Sequence, residues 1–183
     1  MSRQLLSRRS FIAAAAATPL AFGARKVPIG LELYSVRTEM QKDLMGTVRA
    51  VAKMGYQGVE FYAPYYEWTP DYARQVRKLL DELKIRCYST HNGPKSFSPE
   101  GIGKAVELNS ILGSKYVVMA SAGKVVGLDG WRRVADTLSR SVAKMKPAGI
   151  QPGYHNHQAE FRAIDGKMPI EVIAAACPQD AML

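Results

Sequence analysis

The feature that most constrains the fold is an alternation of apolar, strand-like segments with segments whose apolar residues recur at helical spacing. Four strand–helix pairs are followed by a fifth strand and a last helix at 168–176. The predicted strands are 27–36, 58–62, 85–90, 115–120 and 150–154, and the predicted helices between them are 44–54, 71–83, 98–112 and 128–146. Strands and helices that alternate in this way form a parallel sheet with crossover helices. The sequence therefore predicts an α/β protein.

Polar residues at the ends of the predicted strands distinguish between two parallel architectures. A doubly wound sheet usually has a glycine-rich phosphate turn after its first strand, whereas this strand continues into Tyr-Ser-Val-Arg at 34–37. A (β/α)8 barrel places polar side chains at the carboxyl ends of many strands. Here those ends carry Glu32, Tyr34, Glu60, His91, Ser121, His155 and His157. This pattern favours the barrel.

Two of the three histidines flank an amide at the end of the fifth strand, in the run Tyr154, His155, Asn156, His157. Alternate residues of a strand face the same side, so His155 and His157 share a face if the strand extends that far. Paired imidazoles are candidate metal ligands or acid–base groups. The alternative is a pair of hydrogen-bonded loop residues, and the residues alone leave both interpretations open.

Residues 1–26 are predicted to be a twin-arginine export signal with a short linker. Arg8 and Arg9 precede an apolar, alanine-rich run at 11–22. That run is shorter than the roughly 20 residues of a stable membrane span and is typical of an export signal. We therefore expect export to the periplasm or another extracytoplasmic compartment. The alternative is an N-terminal helix that stays attached.

The net charge of +9 does not indicate a nucleic-acid partner. Arg3, Arg8 and Arg9 lie in the predicted leader, and the other basic residues are scattered at helix-surface spacing rather than clustered. Proteins that bind nucleic acid concentrate basic residues on one face. A solvated basic surface is the better interpretation.

Four segments follow one another along the chain: IGLELYSVR at 29–37, GYQGVEFYAPY at 55–65, LGSKYVVMA at 112–120 and GYHNHQAEF at 153–161. Together they resemble the sugar phosphate isomerase/epimerase group of xylose-isomerase-like (β/α)8 barrels. The resemblance implies an enzyme that abstracts a proton next to a carbonyl on a small sugar or polyol. It also implies a divalent metal, namely manganese, magnesium, cobalt or zinc. A cation bound to both enediolate oxygens stabilises charge that develops in the transition state.

The resemblance also implies roles for particular residues. His155 stands where the family motif Glu-Asn-His has its metal-binding carboxylate, which removes a negative charge and a candidate general base. The candidates are His155 as metal ligand, Glu60, His91 and His157 as catalytic residues, and Tyr34, Trp68 and Asn156 as substrate-binding residues. A structural carboxylate paired with a basic residue is the alternative for Glu60, and packing under loops is the alternative for the aromatic residues.

The chain stops where the resemblance places a sixth strand. A complete barrel takes about 250 residues, and the family's remaining metal ligands would lie on later strands. The expected fold of residues 27–183 is therefore an α/β domain of parallel (β/α) TIM-barrel type, truncated after about five strands, with an incomplete metal site. Its exposed strand edges would be covered in a homodimer.

Other functions stay open at this point. A non-catalytic fragment or carbohydrate-binding remnant is the alternative from a different class, because ligand-bearing strands are missing. A keto-sugar dehydratase or lyase of the same superfamily is a further alternative. A nuclease of the apurinic-endonuclease branch would need a basic face and more histidines than the three in this chain.

Overall fold

The computed structural model describes residues 27–177 and residue 181. Five parallel strands form one sheet in the order β1-β2-β3-β4-β5, which confirms the predicted parallel α/β sheet. The strands are β1 (Gly30–Glu32), β2 (Gly58–Phe61), β3 (Arg86–Asn92), β4 (Tyr116–Met119) and β5 (Gln151–Tyr154). The helices are α1 (Arg37–Lys42), α2 (Leu44–Lys53), α3 (Pro70–Leu83), α4 (Ile102–Leu112), α5 (Gly127–Met145) and α6 (Pro169–Ala176).

The predicted export signal at residues 1–26 lies outside the described residues. Within the described part of the chain, no helix is both long and apolar enough to cross a membrane.

Amphipathic helices cover the sheet and bury two apolar clusters. The Thr69 side chain caps the first turn of α3 by accepting a hydrogen bond from the Tyr72 N–H. Pro70 is the first residue of this helix, where a backbone N–H would have no partner within the helix. One cluster lies against β1–β3 and includes Phe61 and Leu80, and the other lies against β4 and β5 and includes Leu138. The helices thus hold the strands in register, so that the strand ends meet along one edge.

The pairing of β2 with β3 changes register by one residue before the strands end. Val59 pairs with Cys87, whereas the next residue, Glu60, pairs with Ser89. On the other side of β2, Glu60 pairs with Glu32. Such a shift redirects side chains at the end of a strand, and here it places a serine beside the Glu60 carboxylate.

Some predicted boundaries differ from the observed ones. The first strand is shorter than predicted, because the Glu32 carboxylate accepts a hydrogen bond from the Tyr34 N–H and starts a 3₁₀ turn. The third strand is longer, so His91 lies inside it. The fifth strand ends at Tyr154. The condition under which His155 and His157 would share a strand face is therefore not met, and both lie in the following loop.

Candidate functional site

A cavity of about 690 Å³ opens at the carboxyl ends of the strands. We call it the strand-end cavity. Its described lining comes from residues at or just beyond the ends of all five strands: Glu32, Tyr34, Tyr62, Ala63, His91, Asn92, Gly93, Ala120, Ser121, His155 and His157. Polar side chains predicted separately at the ends of β1, β3, β4 and β5 thus line one cavity, whereas Tyr62 and Ala63 form the lining that follows β2.

The centre of the cavity wall is an imidazole between two carboxylates. His91 Nδ1 lies 3.7 Å from Glu32 Oε1, and His91 Nε2 lies 3.7 Å from Glu60 Oε1. One ligand atom from each residue lies within 4.8 Å of the other two. We call these three residues the Glu-Glu-His group. Their side chains are only 16–34% exposed, so the charges are partly removed from water.

Each carboxylate of the group is held by a neighbouring donor. Glu32 Oε1 accepts a hydrogen bond of 3.0 Å from the Tyr34 N–H, and Glu60 Oε2 accepts one from the Ser89 hydroxyl. Burial raises the pKa of Glu32, although the Tyr34 hydrogen bond and His91 partly offset it. The side chain that could pair with Glu60 is the imidazole of His91 rather than the lysine or arginine of the structural alternative.

Two further imidazoles extend the group across the cavity. The ring of His155 lies 4.6 Å from that of His91 and 4.8 Å from that of His157, measured between centroids. Burial lowers the pKa of His155, and the charges of His91 and His157 lower it further. His155 is therefore neutral at pH 7 and can act as a base or a ligand.

A buried glutamate that sequence reasoning missed holds the turn that carries these histidines. Glu160 is 4% exposed, and its carboxylate accepts hydrogen bonds from the Tyr154 hydroxyl at 2.6 Å and from the His157 N–H at 2.8 Å. Burial by itself would raise the pKa of Glu160, but these two hydrogen bonds outweigh it and the pKa lies below the ordinary value. The sequence signal for this role is the spacing of a capping box, in which a glutamate stands three residues after the residue that caps a helix, here His157.

The predicted substrate-binding residues do not lie together. Tyr34 lines the strand-end cavity, is 52% exposed and packs edge-on against Tyr62. Trp68 instead packs against Phe61, Tyr65 and Tyr72 and lines a separate cavity of about 410 Å³. Asn156 is not among the lining residues. The arrangement therefore gives no support to a substrate role for Trp68 or Asn156.

The Glu-Glu-His group fits a divalent cation. Carboxylate oxygens and an imidazole nitrogen are ligands for manganese, zinc and cobalt, and carboxylates also suit magnesium. With a neutral His91, two carboxylates leave an excess of negative charge in a partly buried place, which a cation would neutralise. These ligands come from the first three strands. His155, the ligand implied by the resemblance, lies outside the group, and its role as a ligand stays a prediction.

A family model described as xylose isomerase-like TIM barrel matches residues 48–175. The chain belongs to this xylose isomerase-like TIM barrel family. The five parallel strands are thus the barrel-type sheet that the strand-end residues predicted.

Solved structures with a similar fold support this xylose isomerase-like assignment. A sugar phosphate isomerase/epimerase from Parabacteroides distasonis is 22% identical, with a TM-score of 0.71 over 92% of this chain and 68% of that chain. An AP endonuclease, family 2, from Brucella melitensis is 14% identical, with a TM-score of 0.63 over 85% and 67%. D-Psicose 3-epimerase from Clostridium cellulolyticum is 12% identical, with a TM-score of 0.61 over 85% and 62%. No curated protein gives a significant match.

Proposed function

We propose that the protein is a sugar isomerase or epimerase that moves a proton next to the carbonyl of a small sugar or polyol derivative, with the help of a divalent metal. The observation that carries the proposal is the Glu-Glu-His group, of which Glu32 and His91 line the strand-end cavity. Membership of the xylose isomerase-like family supports the reaction class.

In this proposal the residues in and next to the cavity wall have distinct tasks. Glu32, Glu60 and His91 would hold the metal, which supplies positive charge for the oxygens of an enediolate. The neutral imidazole of His155 accepts a proton, and the adjacent His157 ring assists proton return. The exposed Tyr34 ring and Tyr62 offer an apolar surface for the C–H face of a sugar.

The charge of the wall favours an uncharged substrate. None of the described residues that line the strand-end cavity is lysine or arginine, whereas Glu32 is a glutamate. A phosphate group at this wall would have no basic partner among them. The lining hydroxyls of Tyr34, Tyr62 and Ser121, and the imidazoles, are suited to hydrogen bonds with sugar hydroxyls.

Hydrogen–deuterium exchange tests the proposed reaction. The protein is incubated with Mn²⁺ and a panel of uncharged ketoses in D₂O, and NMR follows the C–H signal next to the carbonyl. We expect that signal to disappear only with active protein and metal, and to persist after addition of a chelator. A protein that binds both metal and sugar without exchange would instead be a carbohydrate-binding module, the non-catalytic alternative.

Replacing Ser89 by alanine tests the orientation of the metal ligands. Ser89→Ala removes the hydroxyl that donates to Glu60. Because the loss of a group that orients a metal ligand typically costs 10–100-fold in affinity, we expect Mn²⁺ to bind about tenfold more weakly in calorimetric titration. Ser141→Ala is the control, since its buried hydroxyl donates to the Thr137 carbonyl within α5. Equal affinities of the two variants would contradict a role for Ser89.

A further inference from the structure

Directly behind the Glu-Glu-His group lies a buried cluster of four polar side chains. Its members, which we call the Tyr65 network, are each at most 1% exposed: Tyr65, Thr90, Asn92 and Asn109. Thr90 and Asn92 flank His91 in β3. Tyr65 lies in the 3₁₀ helix Ala63–Glu67 that follows β2, and Asn109 lies in α4. The network therefore joins three elements around the strand that carries His91.

The Tyr65 hydroxyl is the hub of this network. It donates to Asn92 Oδ1 at 2.5 Å and accepts from Asn109 Nδ2 at 2.9 Å, and Thr90 Oγ1 lies 3.1 Å away. Asn92 Nδ2 also donates to the Thr90 carbonyl at 2.7 Å. Burial raises the pKa of Tyr65 to about 12, so the hydroxyl keeps its proton and remains a donor at neutral pH.

The network contacts β3 on the face opposite to the His91 side chain, and one of its members, Asn92, also borders the strand-end cavity. Side chains alternate across a strand, so those of Thr90 and Asn92 point away from the face that presents His91. Bonds to both neighbours restrict rotation and sliding of the strand at His91. Tyr65 follows Glu60 by five residues, so the same hydroxyl also ties the end of β2 to the end of β3.

Stability alone gives a weak reason for this arrangement. Four polar side chains in a core contribute little net free energy compared with apolar residues of similar size, whereas a fully bonded network favours one arrangement over others. Within the described residues, no buried side-chain nitrogen or oxygen lacks a partner. Fixing one arrangement of the backbone matters most next to a side chain that needs a defined position. His91, between Thr90 and Asn92, is such a side chain.

We propose that Tyr65 is a positioning residue, whose hydroxyl holds the end of β3 so that His91 stands between Glu32 and Glu60. This inference rests on the proposed function, because it treats the Glu-Glu-His group as the metal-binding element. Tyr65 itself does not line the strand-end cavity, so it acts only through its neighbours in β3.

A pair of adjacent tyrosines provides a matched experiment. Tyr66 lies in the same 3₁₀ helix, is 6% exposed and donates one hydrogen bond of 2.9 Å, but to the Gly101 carbonyl rather than to β3. Tyr65→Phe and Tyr66→Phe each remove one buried hydroxyl. Three measurements are compared with the unmodified protein: the unfolding midpoint, the Mn²⁺ affinity from calorimetric titration, and the histidine side-chain resonances of the metal-free protein in ¹H–¹⁵N NMR spectra.

We expect both variants to lower the unfolding midpoint, because each leaves buried partners unsatisfied. Only Tyr65→Phe is expected to weaken Mn²⁺ binding, by roughly tenfold, and only Tyr65→Phe should shift the ring resonances of His91. If Tyr65→Phe fails to fold, the isosteric Thr90→Val, which removes a single hydroxyl from the network, replaces it with the same expected direction.

Two results overturn the proposal. One is equal Mn²⁺ affinity in the Tyr65 and Tyr66 variants, and the other is an unchanged set of His91 resonances in Tyr65→Phe. Absence of Mn²⁺ binding in the unmodified protein would refute the proposed metal site instead. In that case the His91 resonances of the metal-free proteins still decide whether Tyr65 positions the imidazole.

Discussion

Replacement of Glu60 by glutamine is expected to weaken Mn²⁺ binding by about 100-fold or more. Loss of a group that only orients a metal ligand costs up to about 100-fold in affinity, and Glu60 is itself a proposed ligand. Glutamine keeps the shape of the side chain but removes one of the two negative charges next to His91. The same change also removes the charge repulsion between Glu60 and Glu32, which are both partly buried. This repulsion contributes to the raised pKa of Glu32. The unfolding free energy of the metal-free protein should therefore not fall.

Metal affinity and stability together distinguish a metal-binding role of the Glu-Glu-His group from a purely structural one. If His91 were an imidazolium that serves only to pair two structural carboxylates, Glu60→Gln would destabilise the fold and leave Mn²⁺ affinity unchanged. Glu67→Gln is the matched control for charge, because Glu67 is exposed and pairs with Lys95 instead. Affinity is measured by calorimetric titration and stability by chemical denaturation on the same samples.

The sheet could be predicted from the sequence because its signals are local. Apolar runs and helical spacing identify each strand and helix within a few residues, and parallel strands with crossover helices follow from their order. The polar residues at strand ends could also be predicted, since carboxyl ends of parallel strands share one edge. His91, His155, His157 and Tyr34 line the strand-end cavity. The Glu60 carboxylate lies 3.7 Å from a ring nitrogen of His91.

The contacts within the site depend on non-local geometry, which the sequence does not display. The one-residue register shift between β2 and β3 sets Ser89 opposite Glu60. The turn at Leu33–Val36 aims Glu32 at His91, so that Glu32 rather than His155 completes the Glu-Glu-His group. Trp68 is a different case, and its substrate-binding role stays a prediction. Its loop follows a strand end, but its ring packs into an aromatic cluster outside the strand-end cavity.

The turn after β5 links the stability of the fold to the placement of His155 and His157. Of the two donors to Glu160, the Tyr154 hydroxyl lies at the end of β5 and the His157 N–H lies in the turn itself. The segment GYHNHQAEF therefore combines two kinds of residue. Its histidines line the strand-end cavity, and its tyrosine and its one glutamate hold the backbone that presents them.

Replacement of Glu160 by glutamine is expected to lower the unfolding free energy at pH 7 by about 2 kcal/mol, since hydrogen bonds to a buried charged group are worth about 1.5–3 kcal/mol each and glutamine retains part of them. The matched control is Glu171→Gln. Glu171 makes a similar bond to the Met168 N–H at a helix start but is exposed, so a change within about 0.5 kcal/mol is expected.

The pH dependence of the difference tests the charge of Glu160 directly. The pKa of Glu160 in the folded protein lies below the ordinary value of 4.5. Its contribution to stability is therefore complete above about pH 4.5 and is lost as the pH falls through the lower, folded-state pKa. Both proteins are denatured at a series of pH values from neutral into the acid range. The difference in unfolding free energy between the unmodified protein and Glu160→Gln should disappear only at the acid end. A difference in unfolding free energy that stays constant throughout would mean that folding does not shift the pKa of Glu160, and that its charge does not stabilise the turn bearing His155 and His157.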